Sequence, residues 1–156
     1  MEDIFEKAAE IDHNNTKRIG IVGQPGIGKS TLCKSIVEMV LNSTILRDVK
    51  YVFFILLRHI RTHNSPTALL KFITRTCNIS WTHDATQDHA LLRKINESND
   101  VLFVLDGFDE CKISHDEITQ ESDLLAIDDE ATPLHFIKCL LRGDIFPNSI
   151  VLMTSR

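Results

Sequence analysis

Four short runs of consecutive apolar residues punctuate the chain: Ile19 to Val22, Tyr51 to Leu57, Val101 to Leu105 and Ile150 to Met153. None alternates with polar positions, so each predicts a strand covered on both faces, as in a parallel sheet flanked by helices. Helical spacing fills the intervals. After Lys29, the residues Leu32, Ile36, Val37, Val40 and Leu41 fall on one stripe and predict a helix that packs on the sheet. Ser65-Pro66 predicts the start of a second, with Ala68, Leu69, Phe72, Ile73 and Cys77 as its apolar face. Asp88 to Asn96, with Leu91, Leu92 and Ile95, predicts a third. Thr132-Pro133 opens a fourth through Leu134, Ile137 and Leu141, with Gly143 as its stop. Ahead of these, Ile4, Phe5, Ala8 and Ile11 are spaced as in a helix and Asp12 to Lys17 is a polar connector. The expected organisation is a lead-in over residues 1–17 and one α/β domain over 18–156, with helices on both sides of a mostly parallel sheet.

Composition narrows the class. The chain has 156 residues, 43% hydrophobic and 25% charged, enough for one domain with a real core and too apolar for a disordered chain. A net charge of −5 disfavours bulk attraction to nucleic acid or an anionic membrane. No apolar stretch approaches the roughly 18 residues of a spanning helix, and Glu2, Asp3 and Glu6 do not fit a signal peptide, so a cytoplasmic chain is expected. Cys33, Cys77, Cys111 and Cys139 show no metal-ligand spacing and read as reduced, structural thiols. Asp106 to Glu130 holds ten of the 22 acidic residues and reads as a solvated connection. His59 and His63 stand four apart but follow a strand among arginines, and read as loop histidines rather than metal ligands.

The first run leads into Gly23-Gln24-Pro25-Gly26-Ile27-Gly28-Lys29-Ser30-Thr31, directly before the first amphipathic helix. This is the G-x-x-x-x-G-K-[ST] pattern in the strand-to-helix context that gives it meaning. Glycines permit backbone conformations closed to other residues, and the amides at the helix start point inward and attract anions. The pattern predicts a phosphate cradle for a purine nucleoside triphosphate. Lys29 is expected at the terminal phosphates, Ser30 on Mg²⁺, and Thr31 at the α-phosphate.

The third run ends in Asp106-Gly107-Phe108-Asp109-Glu110, which delivers carboxylates to the carboxyl edge of the sheet, where ligands of open α/β sheets bind. Asp106 is expected to hold Mg²⁺ through a water, and Asp109 or Glu110 to polarise the water that attacks the γ-phosphate. The last run ends in Thr154-Ser155-Arg156, a guanidinium at a strand end that by itself reads as surface charge or as a sensor of that phosphate.

GQPGIGKST, LFVLDGFDE and LMTSR, in that order and spacing, resemble the Walker A, Walker B and sensor 1 motifs of NACHT domains, over residues 18–156. The resemblance implies a P-loop ATPase of the STAND class and NOD-like receptor type, with a three-layer αβα fold and four of the family's five core strands in this stretch. It further implies that the sensor strand lies between the Walker A and Walker B strands, bringing Arg156 to the phosphates. Phe54 with Arg58 resembles the family's arginine after the second strand. A switch is implied, with an ADP-bound closed form, exchange to ATP, slow hydrolysis, and self-association through NACHT domains in an innate-immune signalling protein. ATP is the expected nucleotide; the absence of an N-K-x-D base-reading motif weakens GTP, which stays open as the alternative. An AAA+ or kinase-like enzyme, or a binding-only scaffold, are the alternatives.

Overall fold

The computed structural model describes residues 17–62, 65–81, 84–111 and 125–156. The lead-in helix expected over residues 3–11, His63 and most of the acidic connection lie outside the described residues. Among these residues, six strands and four α-helices follow in chain order: β1 (Arg18–Val22), α1 (Lys29–Leu41), β2 (Tyr51–Leu56), β3 (Thr67–Ala68), α2 (Leu69–Cys77), α3 (Ala85–Glu97), β4 (Val101–Asp106), β5 (Glu130–Ala131), α4 (Pro133–Arg142) and β6 (Ile150–Ser155). Short 3₁₀ turns, Leu57–Thr62 and Phe108–Cys111, continue from the ends of β2 and β4.

The four long strands form one sheet in the order β1-β6-β4-β2, all parallel. Each apolar run therefore became a strand, and alternate side chains enter opposite cores. On one face, Ile19, Leu102, Val104, Ile150 and Leu152 meet Cys33, Ile36 and Val40 of α1. On the other, Phe53, Ile55, Phe103, Leu105 and Val151 meet α2, α3 and α4 through residues such as Phe72, Leu92 and Phe136. Phe53 and Phe103, partners in the β2–β4 register, stack with ring centroids 4.9 Å apart. The result is the expected three-layer α/β architecture of P-loop NTPases.

Helix ends follow local chemistry. Thr132 accepts from the His135 N–H at 3.3 Å, Pro133 occupies the first turn, and Gly143 closes α4 at φ 86°. Asp84 caps α3, so that helix starts at Ala85, three residues ahead of the expected Asp88. The second helix starts later than the Ser65-Pro66 signal indicates. Thr67–Ala68 instead pairs antiparallel with Glu130–Ala131, the latter at the end of the stretch expected to be a solvated connection. The described end of that connection is also anchored: Leu125 and Ile127 pack against the larger core, and Arg93 Nη2 bonds Asp128 at 2.6 Å.

Arg18, at the start of β1, ties the sheet to a helix end. Its guanidinium donates to the carbonyls of Ser149 at 2.7 Å, Leu140 at 2.8 Å and Leu141 at 3.3 Å. A cation thereby meets the unsatisfied carbonyls and negative dipole end of α4.

Candidate functional site

The site is assembled by strand order. Because β6 lies between β1 and β4, the cradle after β1, the acidic turn after β4 and Arg156 after β6 emerge side by side at the carboxyl edge. Val22 pairs with Ser155, and the Gly23 N–H donates to the Ser155 carbonyl at 3.3 Å, so the loop leaves the sheet next to Arg156. Gly26 and Gly28 stand at φ +79° and +96°, in the left-handed region, and a Cβ at either would meet nothing within 4 Å. The glycine requirement there is conformational rather than steric. Gly28 is also the residue from which α1 starts, so the N–H groups of the first turn open toward the loop.

A cleft of 210 Å³ is lined by Pro25, Gly26, Lys29, Ser30, Leu56, Arg58, Asp106, Gly107, Asp109, Glu110, Thr154 and Arg156. Of the residues singled out from sequence, Pro25, Gly26, Lys29, Ser30, Asp106, Asp109, Glu110 and Arg156 converge here. Gly23, Gln24, Ile27, Gly28 and Thr31 belong to the loop and first helical turn but do not line it, and Gln24, Ile27 and Thr31 are exposed. The volume falls below the ~300 Å³ at which small-molecule sites usually begin, which suits phosphate groups rather than a whole nucleotide.

Four of the charged groups are held: Lys29, Asp106, Asp109 and Arg156. The Lys29 ammonium donates to the carbonyls of Gly23 at 2.5 Å and Gln24 at 2.9 Å, which tethers it across the mouth of the loop. Thr154 Oγ1 donates to Asp106 Oδ1 at 2.7 Å and accepts from the Gly107 N–H at 2.9 Å, fixing the strand-end carboxylate and the start of the acidic turn together. Thr154 was legible only as a hydroxyl at a strand end; its pairing with Asp106 spans 48 positions and left no local signal. Arg156 Nε lies 2.8 Å from Asp109 Oδ2. Beneath the site, burial and the Asp106 charge push the Cys33 thiol up to about 11.

The donor set suits a hard divalent cation. Ser30 and Asp106 present oxygens to one cleft, and Asp106 Oδ2 carries no protein partner among the described residues. No group of three or more His, Cys, Asp or Glu among the described residues is arranged to hold a metal alone. Mg²⁺ would be shared with phosphate oxygens, as this ion commonly is.

A larger cleft of 580 Å³ lies at the opposite end of the sheet, among Lys17, Arg47, Lys50 and Asp100, where the strands begin. It contains none of the motif residues, and ligands of open α/β sheets bind at the carboxyl ends of strands. The smaller cleft is therefore the candidate site. Among the described residues, no helix is long and apolar enough to cross a membrane.

The family profile of the NACHT domain matches residues 17–156. NACHT, LRR and PYD domains-containing protein 5 of Mus musculus is 30% identical over 137 residues, which make up 86% of this chain and 11% of that protein. The chain thus spans a small part of the length of the curated relative it matches.

Proposed function

The chain belongs to the NACHT domain family, and on that premise we propose that it is the nucleotide-binding core of a slowly hydrolysing molecular switch. It binds ATP together with Mg²⁺, GTP being the alternative base. The bound nucleotide selects the conformation and the assembly of a larger cytoplasmic protein of innate-immune signalling. The carrying observation is the convergence of Lys29, Ser30, Asp106, Asp109, Glu110 and Arg156 on one cleft at the carboxyl edge of a parallel sheet.

The roles follow from the chemistry of each group. Backbone amides of the cradle and the Lys29 ammonium neutralise the phosphate chain, while Ser30 and Asp106 hold the metal. Bound there, Mg²⁺ would offset the charge that builds on the bridging and terminal phosphate oxygens. Asp109 and Glu110 are the carboxylates within reach of an attacking water, and Arg156 meets the terminal phosphate. A switch needs the triphosphate and diphosphate states to differ in contacts, and Arg156 supplies a contact that only the triphosphate satisfies. Self-association through NACHT domains is the proposed readout of that difference.

The test compares full-length protein loaded with ADP, ATP or a non-hydrolysable ATP analogue, following assembly by light scattering and turnover by phosphate release. The analogue is expected to sustain the assembled state, with turnover well below the ~10 s⁻¹ typical of metabolic enzymes. Fast turnover with assembly that fails in the analogue would instead identify a motor or transferase.

A further inference from the structure

We propose that the two adjacent carboxylates divide the work: Asp109 is a positioning residue that holds Arg156 toward the terminal phosphate, and Glu110 is the residue that activates water. The inference rests on the nucleotide reading above and assigns the two acids within it.

The Arg156 side chain is 63% exposed, and its ion pair with Asp109 is made through Nε at 2.8 Å. Its two terminal nitrogens have no partner among the described residues. A carboxylate on Nε restrains the guanidinium and leaves donors on its two terminal nitrogens for phosphate oxygens. An arginine without such a partner would lose rotamer freedom each time it engaged a ligand. Asp109 is 26% exposed and comes from the 3₁₀ turn after β4, which joins the acidic turn to the end of β6.

Glu110 stands differently. Its side chain makes no hydrogen bond or ion pair among the described residues, and it lies against Gly107, where a Cβ would sit 3.2 Å from Glu110 Oε1. Gly107 at φ +87° is bonded to Thr154, which also holds Asp106. Glu110, half-buried, thus shares the cleft with Asp106, and its carboxylate has no protein partner among the described residues.

In the resulting step, the water oxygen bonds to the terminal phosphorus as Glu110 takes one of its protons. The bond from that phosphorus to the β,γ-bridging oxygen breaks, and the bridging oxygen leaves on the diphosphate. Arg156, held by Asp109, meets the charge on the transferring oxygens. Glu110 then returns its proton to solvent as inorganic phosphate departs.

The experiment measures, on the full chain, affinities for ADP and a non-hydrolysable ATP analogue and the single-turnover rate with ATP. Asp109→Ala should weaken the analogue about three- to tenfold while leaving ADP unchanged, the size of one oriented charge-assisted contact. The isosteric Asp109→Asn should shift the same ratio in the same direction, which separates positioning from misfolding. In an Arg156→Ala background, Asp109→Ala should add nothing, because its effect acts through the guanidinium. Glu110→Gln should lower turnover by about a hundredfold or more with the affinities unchanged. Turnover abolished by Asp109→Asn with the affinity ratio intact, or additive losses in the double variant, would overturn the division. Either result leaves nucleotide binding at the cradle standing, since that depends separately on Lys29.

Discussion

Cys33 shows how the site reaches into the core at the level of a single residue. It is completely buried on α1 beneath the acidic strand end, and burial, followed by the Asp106 charge, raises its thiol to about 11. Cys77 is raised to about 11 as well, again by burial first. An unfolded thiol ionises near 9.0, so on raising the pH the unfolded chain loses these protons first. The stability these groups contribute is full below pH 9 and declines between about 9 and 11. Urea midpoints across that range should fall with pH, and replacing Cys33 and Cys77 with Ala or Ser should flatten the decline. A slope that persists unchanged in the double variant would assign the effect to other groups. The cradle residues were legible in the sequence because their chemistry is local: glycines, a lysine and a hydroxyl at fixed spacing between a strand and a helix. Thr154 and the Arg156–Asp109 pair were not, because each depends on partners brought together only by sheet order.

At the scale of elements, the strongest unread feature is Arg18. Three carbonyls from the end of α4 and the approach to β6 converge on one half-buried guanidinium more than 120 positions away in sequence. Arg18→Met keeps much of the apolar stem and removes the donors, leaving those carbonyls without their charged partner. The expected cost is about 2 kcal/mol, a melting-point loss of roughly 4–8 °C for a domain of this size. Circular dichroism melts check it; a shift under ~1 °C would show that water replaces the arginine at no cost. Among the described residues, the four long strands and four helices were read correctly in kind because long apolar runs and 3.6-residue stripes carry a strong signal. The errors fell at boundaries. Thr67–Ala68 and Glu130–Ala131 are too short to carry a period, and their extended conformation is set by pairing with each other across more than 60 positions. That pairing delays α2, overriding the local helix-start signal at Ser65-Pro66.

For the whole molecule, periodicity predicted layers but not strand order. The placement of β6 between β1 and β4 was an expectation from family resemblance, and the observed sheet has it. That placement matters most for function, because it gathers the carboxyl ends of three strands around one small cleft while both faces of the sheet stay covered. It also leaves β1 at an edge among the described strands, with Val22 73% exposed and the neighbouring Ile27 of the cradle 70% exposed. The central claim is that this cleft holds a nucleoside triphosphate through Lys29. Its most direct test is a calorimetric titration of ATP with Mg²⁺ into full-length protein and into Lys29→Ala, with thermal melts to confirm that both are folded. The account predicts saturable binding to the unsubstituted protein and none measurable in the variant. Equal affinity in both would contradict it.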